Sequence, residues 1–211
     1  VVAIGHTMAD WGTVRAAADA GARLSTHLGN GCPSMLPRHH NCIWAQLAED
    51  RLWASLIVDG HHLPPPVVKS LVRAKSAERC ILVSDMSGMA GLPPGRYPGN
   101  ICDVEILPDG KLVIAGQREL LAGATAAVCV GLANVMHFAG LSLSEAVAMA
   151  TSRPAALLGI ACSAFEQPTA AEQPTSADLV VFDLRPAADD RPGEIQVRAT
   201  FSGGRLTYRA A

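Results

Sequence analysis

Along the first half of the chain, short apolar runs alternate with Ala-rich stretches of helical period. Val1–Gly5, Ala22–Thr26, Leu52–Val58 and Cys80–Ser84 read as strands. Their near-continuous apolar character is that of parallel strands buried on both faces and joined by crossover helices. Between them the pattern predicts a helix over Asp10–Ala20, with Asp10 as N-cap and Gly21 as stop, a second near Ile43–Glu49, and a third over Pro64–Lys75 whose prolines suit a first turn. From Gly88 to Gly116 the rhythm changes to Gly and Pro, which predicts a long loop insertion. It holds one hairpin, Cys102–Leu107 against Lys111–Ala115, turning through Pro108-Asp109-Gly110.

Three helices are predicted next: Thr125–Ala139, Ser144–Thr151 capped by Ser142 or Ser144, and Pro154–Leu158 ending at Gly159. Residues 161–177 are low in complexity and read as a flexible surface loop. Asp178–Phe182, Gln196–Phe201 and Arg205–Tyr208 read as strands, and no solenoid repeat is visible.

Composition narrows the classes. Lys+Arg at 17 against Asp+Glu at 19 leaves no basic excess for a phosphate backbone, so nucleic acid is not an expected partner. Residues 120–144 carry no charged side chain, long enough in principle to span a bilayer. Gly123, Gly131, Gly140, Asn134 and His137 interrupt that run, and it reads instead as a buried helix, with no membrane partner expected. The six cysteines form no CxxC pair and mostly sit in apolar strings, which reads as reduced core thiols and a cytoplasmic compartment. The opening Val1–Gly5 has no basic n-region or cleavage motif and reads as the inside of a strand, so the sequence is expected to be a piece of a longer protein.

The chemistry lies where the strands stop. His6 follows the first, His27 the second, Asp59-Gly60-His61-His62 the third and Asp85 the fourth. Neighbouring parallel strands lie about 4.8 Å apart, so groups at successive C-terminal ends converge, and these ends are where barrel enzymes place their chemistry. Two neutral imidazoles beside a carboxylate suit zinc or a similar divalent ion that polarises a carbonyl and activates water. The same donors accept iron or manganese. No GxSxG motif points to a covalent nucleophile.

The strings Val2-Ala3-Ile4-Gly5-His6-Thr7, Thr26-His27-Leu28-Gly29-Asn30-Gly31, Val58-Asp59-Gly60-His61-His62, Leu82-Val83-Ser84-Asp85 and Leu121-Ala122-Gly123 resemble consecutive motifs of the N-acetylglucosamine-6-phosphate deacetylases, within the amidohydrolase superfamily. Ala150–Ala155 and Ala177–Asp183 carry the likeness on toward the end. The resemblance implies an α/β fold, the C-terminal half of a (β/α)8 TIM-type barrel with a small accessory β-sandwich. Residues 1–160 would be the partial barrel, 161–177 the flexible loop and 178–211 strands of the sandwich. It implies His6 and His27 as metal ligands and Asp85 as the general base that becomes the general acid for the leaving amine. It further implies His62, Asn30, Gly31 and the Ala122-Gly123-Ala124 loop as substrate contacts, and a homodimer.

The pattern departs from the family in two places. The family's metal-binding glutamate comes from an earlier strand that this sequence lacks, and Gly29 replaces an aromatic, leaving a roomier pocket. Arg38 sits near the place of the family's phosphate-binding arginine, which reaches across the dimer, while His39, His40 and His137 read as structural or surface residues and His61 as second-shell or loop. The expected activity is hydrolysis of the acetamide of an N-acetylated amino sugar, N-acetylglucosamine 6-phosphate foremost. The alternatives are an amidohydrolase acting on another N-acyl or cyclic amide, or a non-catalytic fragment or paralogue.

Overall fold

The computed structural model describes residues 1–160 and 178–210 of the 211-residue chain, so the loop expected over 161–177 lies outside the described residues. Four parallel strands, β1 (Val2–Ile4), β2 (Ala22–Ser25), β3 (Trp53–Leu56) and β4 (Cys80–Leu82), lie side by side in chain order. The connections carry α1 (Trp11–Asp19), α2 (Cys42–Ala48) and α3 (Pro65–Lys75). Each helix starts where local chemistry favours it. Asp10 Oδ1 accepts from the Thr13 N–H at 2.8 Å, Asn41 Oδ1 accepts from Ile43 and Trp44, and Pro65 opens α3 where no amide hydrogen is needed.

The expected single hairpin is a four-stranded antiparallel sheet: β5 (Gly95–Tyr97), β6 (Val104–Ile106), β7 (Leu112–Ile114) and β8 (Gln117–Leu121). The sequence reading found only the inner pair. The two outer strands are edges: Gln-Arg-Glu-Leu-Leu is largely solvated and Gly-Arg-Tyr is only three residues long, so neither carries the apolar alternation that announces a strand.

Helices α4 (Val128–Ala139), α5 (Leu143–Ala150) and α6 (Ser152–Leu158) follow. Ser142 and Glu145 form a reciprocal capping box at the start of α5, and Gly159 ends α6 in the left-handed region. Within the charge-free run the helix is only the three turns of α4, with its middle buried, and among the described residues no helix is long and apolar enough to cross a membrane. Strands β9 (Leu179–Arg185), β10 (Glu194–Ser202) and β11 (Arg205–Arg209) make a separate antiparallel sheet, ordered β11-β10-β9, that meets α4 through β10.

The main core joins Leu56 of β3 and Val58 just beyond it, Val68, Leu71 and Val72 of α3, Leu82 of β4, Val135 of α4 and Met149 of α5. Two features of α4 hold the end of β3. Gly131 lets the helix approach the Val58 backbone, and buried Asn134 donates to the Val58 carbonyl at 2.8 Å. Of the described cysteines, Cys42 and Cys80 are buried as expected, and burial pushes the Cys80 thiol up to about 12. Cys102 instead lies exposed in the irregular segment before β6.

Candidate functional site

Each parallel strand ends in an abrupt turn. His6 after β1, His27 after β2 and Asp85 after β4 have φ of 46°, 32° and 52°, the left-handed region that non-glycine residues adopt at a cost of about 1–3 kcal/mol each. Strain at three strand ends in one sheet puts these side chains on the wall of one cavity. It has a volume of about 500 Å³, and His62, Asn30, Gly31 and Gly123 also line it.

The two histidines meet directly. His6 Nε2 and His27 Nε2 are 2.9 Å apart, with the rings edge to face at 4.7 Å between centroids. The position of His27 is fixed from β3, because its N–H donates to Ser55 Oγ at 2.7 Å and Ser55 Oγ donates to the Ser25 carbonyl. Its other ring nitrogen, Nδ1, is buried without a hydrogen-bond partner among the described residues. Gly31 forms a cradle for the first ring: a Cβ there would stand 2.8 Å from His6 Nδ1.

This donor set fits a divalent ion. Two imidazole nitrogens on one tetrahedral ion at about 2.0–2.1 Å stand roughly 3.3 Å apart, so the rings need to part by only a few tenths of an ångström. Among the described residues no group of three or more His, Cys, Asp or Glu is gathered closely enough to hold a metal, so the two imidazoles are a partial set.

His62 is oriented by a carboxylate that the sequence reading noted only as part of a polar strand end. Its Nδ1 lies 2.8 Å from Asp59 Oδ2, with both side chains almost fully buried, and Asp59 Oδ1 accepts from the His61 and His62 backbone N–H groups. Burial alone would raise the Asp59 carboxyl, but the His62 ring and the two N–H donors outweigh it and bring it down to about 2. The i,i+3 spacing in a turn was the available signal. With Nδ1 engaged, Nε2 is the ring nitrogen left for a ligand. His61 contributes only its backbone to this arrangement.

The linkage has a definite sign. The folded value lies below the ordinary 3.8, so this carboxylate stabilises the fold above about pH 4, and that contribution disappears as pH falls through about 2. Urea unfolding between pH 6 and 2 is expected to show an acid loss on the order of 2 kcal/mol that is absent from Asp59→Asn.

The opposite wall comes from the antiparallel sheet through Glu119, Leu120 and Leu121 of β8. Sequence reasoning missed Glu119 and Leu120 because an edge strand of the insertion gave no sign of facing the strand ends. Gly123 and Ala124 then return to the sheet, where the Ala124 N–H donates to the Asp85 carbonyl at 2.9 Å. Met86 pairs with Ala124 in a parallel bridge. Ala122 packs against the Val104–Leu112 cluster and Ala124 is buried, so of this loop only Gly123 lines the cavity.

Arg38 lies elsewhere. Its side chain lines a largely apolar groove between α2 and α3 with Leu36, Trp44 and Val67, and its carbonyl accepts from Trp44 Nε1 at 3.1 Å. His39 and His40 are exposed beside Trp11, and His137 sits on α4 against Phe138. Among the described residues no lysine or arginine lines the strand-end cavity.

A parallel α/β sheet with imidazoles and a carboxylate at its strand ends around one cavity defines the class of this chain. No protein-family model matches it. It is 36% identical over 159 residues to the N-acetylgalactosamine-6-phosphate deacetylase of Escherichia coli O157:H7, covering 75% of this chain and 41% of that protein. It is 34% identical over 134 residues to an Escherichia coli K12 protein provisionally named for the same deacetylase, covering 64% of this chain and 78% of that one. A mutant N-acetyl-D-glucosamine-6-phosphate deacetylase from Mycobacterium smegmatis, solved with N-acetyl-D-glucosamine-6-phosphate, superimposes with a TM-score of 0.75 at 30% identity, covering 98% of this chain and 51% of that one. The chain belongs to the family of N-acetylglucosamine- and N-acetylgalactosamine-6-phosphate deacetylases. It spans about half the length of most of the curated relatives it matches.

Proposed function

We propose that the chain carries the catalytic strand ends of a metal-dependent deacetylase that converts an N-acetyl amino-sugar 6-phosphate, N-acetylglucosamine 6-phosphate foremost, to the free amine and acetate. The observation that carries this reading is the convergence of His6 Nε2 and His27 Nε2 in one cavity with Asp85. A divalent ion held by the two histidines, with zinc the first choice and iron or manganese compatible, would polarise the acetamide carbonyl and acidify water.

Asp85 takes the proton of the attacking water and returns it to the amide nitrogen as the C–N bond breaks. His62, held by Asp59, steadies the carbonyl or the sugar, with Asn30, Gly31 and, from the Ala122–Ala124 loop, Gly123 as further sugar contacts. Residues 1–160 are read as the C-terminal half of a (β/α)8 barrel and 178–211 as strands of the accessory sandwich. Arg38, exposed beside the groove between α2 and α3, is the residue read as reaching the phosphate in the cavity of a second copy in a homodimer.

Galactosamine is the second reading, because a relative at 36% identity is named for that sugar. Acetate release from the two N-acetylhexosamine 6-phosphates and their unphosphorylated forms, with and without added metal, tests both. Metal-dependent release from a phosphorylated sugar is expected. Metal bound stoichiometrically with no acetate from any of the four overturns the reading.

A further inference from the structure

Two thiols, one on the cavity wall and one behind it, play no part in the proposed chemistry. Cys32 lies in the loop after β2, two residues beyond Asn30, and is partly exposed where it lines the main cavity. Cys42 is the first residue of α2 and is buried. Both also line a second, much smaller void beneath the loop, together with Gly29, Thr26 and Gln46. The Cys32 thiol is directed at the Gly29 carbonyl at 3.8 Å, inside its own loop. The Cys42 thiol is pushed up, first by burial and next by the neighbouring Cys32 thiol.

We propose that Cys32 and Cys42 are a modification site, a thiol pair that a hydroperoxide converts to a reversible disulfide tethering the loop after β2 to the start of α2. The division of labour follows from access. Cys32 is reached through the open cavity, and its sulfur attacks the peroxide, giving a sulfenic acid and one water (or alcohol). The Cys42 sulfur then attacks the Cys32 sulfur, the S–O bond breaks, and a second water leaves with the thiol proton. In sum two thiols lose two electrons to one peroxide. A thiol reductant reverses the step. The tether would act on the segment Gly29–Ser34, whose Gly31 bears on the His6 ring. The site rests on the thiols alone and holds whatever the enzyme's substrate proves to be.

Exposed Cys102 provides an internal control, since it reports when oxidant has reached an ordinary surface thiol. The native protein is treated with hydrogen peroxide up to the concentration that consumes Cys102, alkylated, and peptide-mapped. The expected result is a Cys32–Cys42 linked peptide 2 mass units below the sum of its halves, lost on reduction and absent from Cys32→Ser and Cys42→Ser. Phenylarsine oxide, which needs two adjacent thiols, is expected to protect both from alkylation in the unoxidised protein. The proposal is overturned if Cys102 is consumed while Cys32 and Cys42 remain alkylatable, or if Cys32 reaches the sulfinic acid with Cys42 untouched.

Discussion

Asp85→Asn is expected to lower kcat for acetate release by about 10²–10⁴-fold while metal content and KM stay near those of the parent. In the proposed mechanism its carboxylate accepts a proton from water and later returns it to the amine, and Asn keeps its size and polarity without that capacity. Asp85 is held by its backbone as well: its φ of 52° and the bond from Ala124 N–H to its carbonyl place it irrespective of side-chain charge. The variant should therefore fold and bind metal. Single-turnover and steady-state kinetics with parallel elemental analysis check it. Unchanged kcat would remove Asp85 from the proton-transfer role, and loss of metal together with kcat would make it a ligand instead.

Gly31→Ala is expected to weaken metal binding by about 10–100-fold, the range seen when a group that orients a ligand is disturbed. Two effects combine. The residue has φ of 64°, which alanine adopts only with strain, and the added Cβ would lie 2.8 Å from His6 Nδ1 and 2.9 Å from its Cδ2 and Cε1. The ring cannot stay where it is, and its Nε2 leaves the position facing His27. Competition with a chromophoric chelator measures the affinity directly. Gly140→Ala, also at positive φ but with open space around the Cβ, separates backbone strain from the clash. Equal metal affinity in the parent and Gly31→Ala would mean that His6 is not oriented by this contact.

Much of this architecture is legible locally. Asp10, Asn41 and Ser142 begin helices because their side chains satisfy amides two or three residues on, and Gly159 ends one because it takes a left-handed conformation without cost. The apolar runs before His6, His27, Asp59 and Asp85 declare strands, and the polar groups at their ends declare which edge of the sheet carries chemistry. These signals span a few residues, the range over which periodicity and capping act.

Contacts between distant segments are of another kind. That His6 and His27, 21 residues apart, meet nitrogen to nitrogen depends on the register of β1 on β2 and on a serine of β3. That Glu119 faces the cavity depends on β8 being the edge of a sheet whose outer strands carry no apolar alternation. Which surface Arg38 occupies is likewise set by its loop, which lays it along a groove between two helices. A side chain's type and its local conformation are encoded within a turn or a strand. Its neighbours across the fold are chosen by how strands align and helices pack, through contacts that no short stretch of sequence contains.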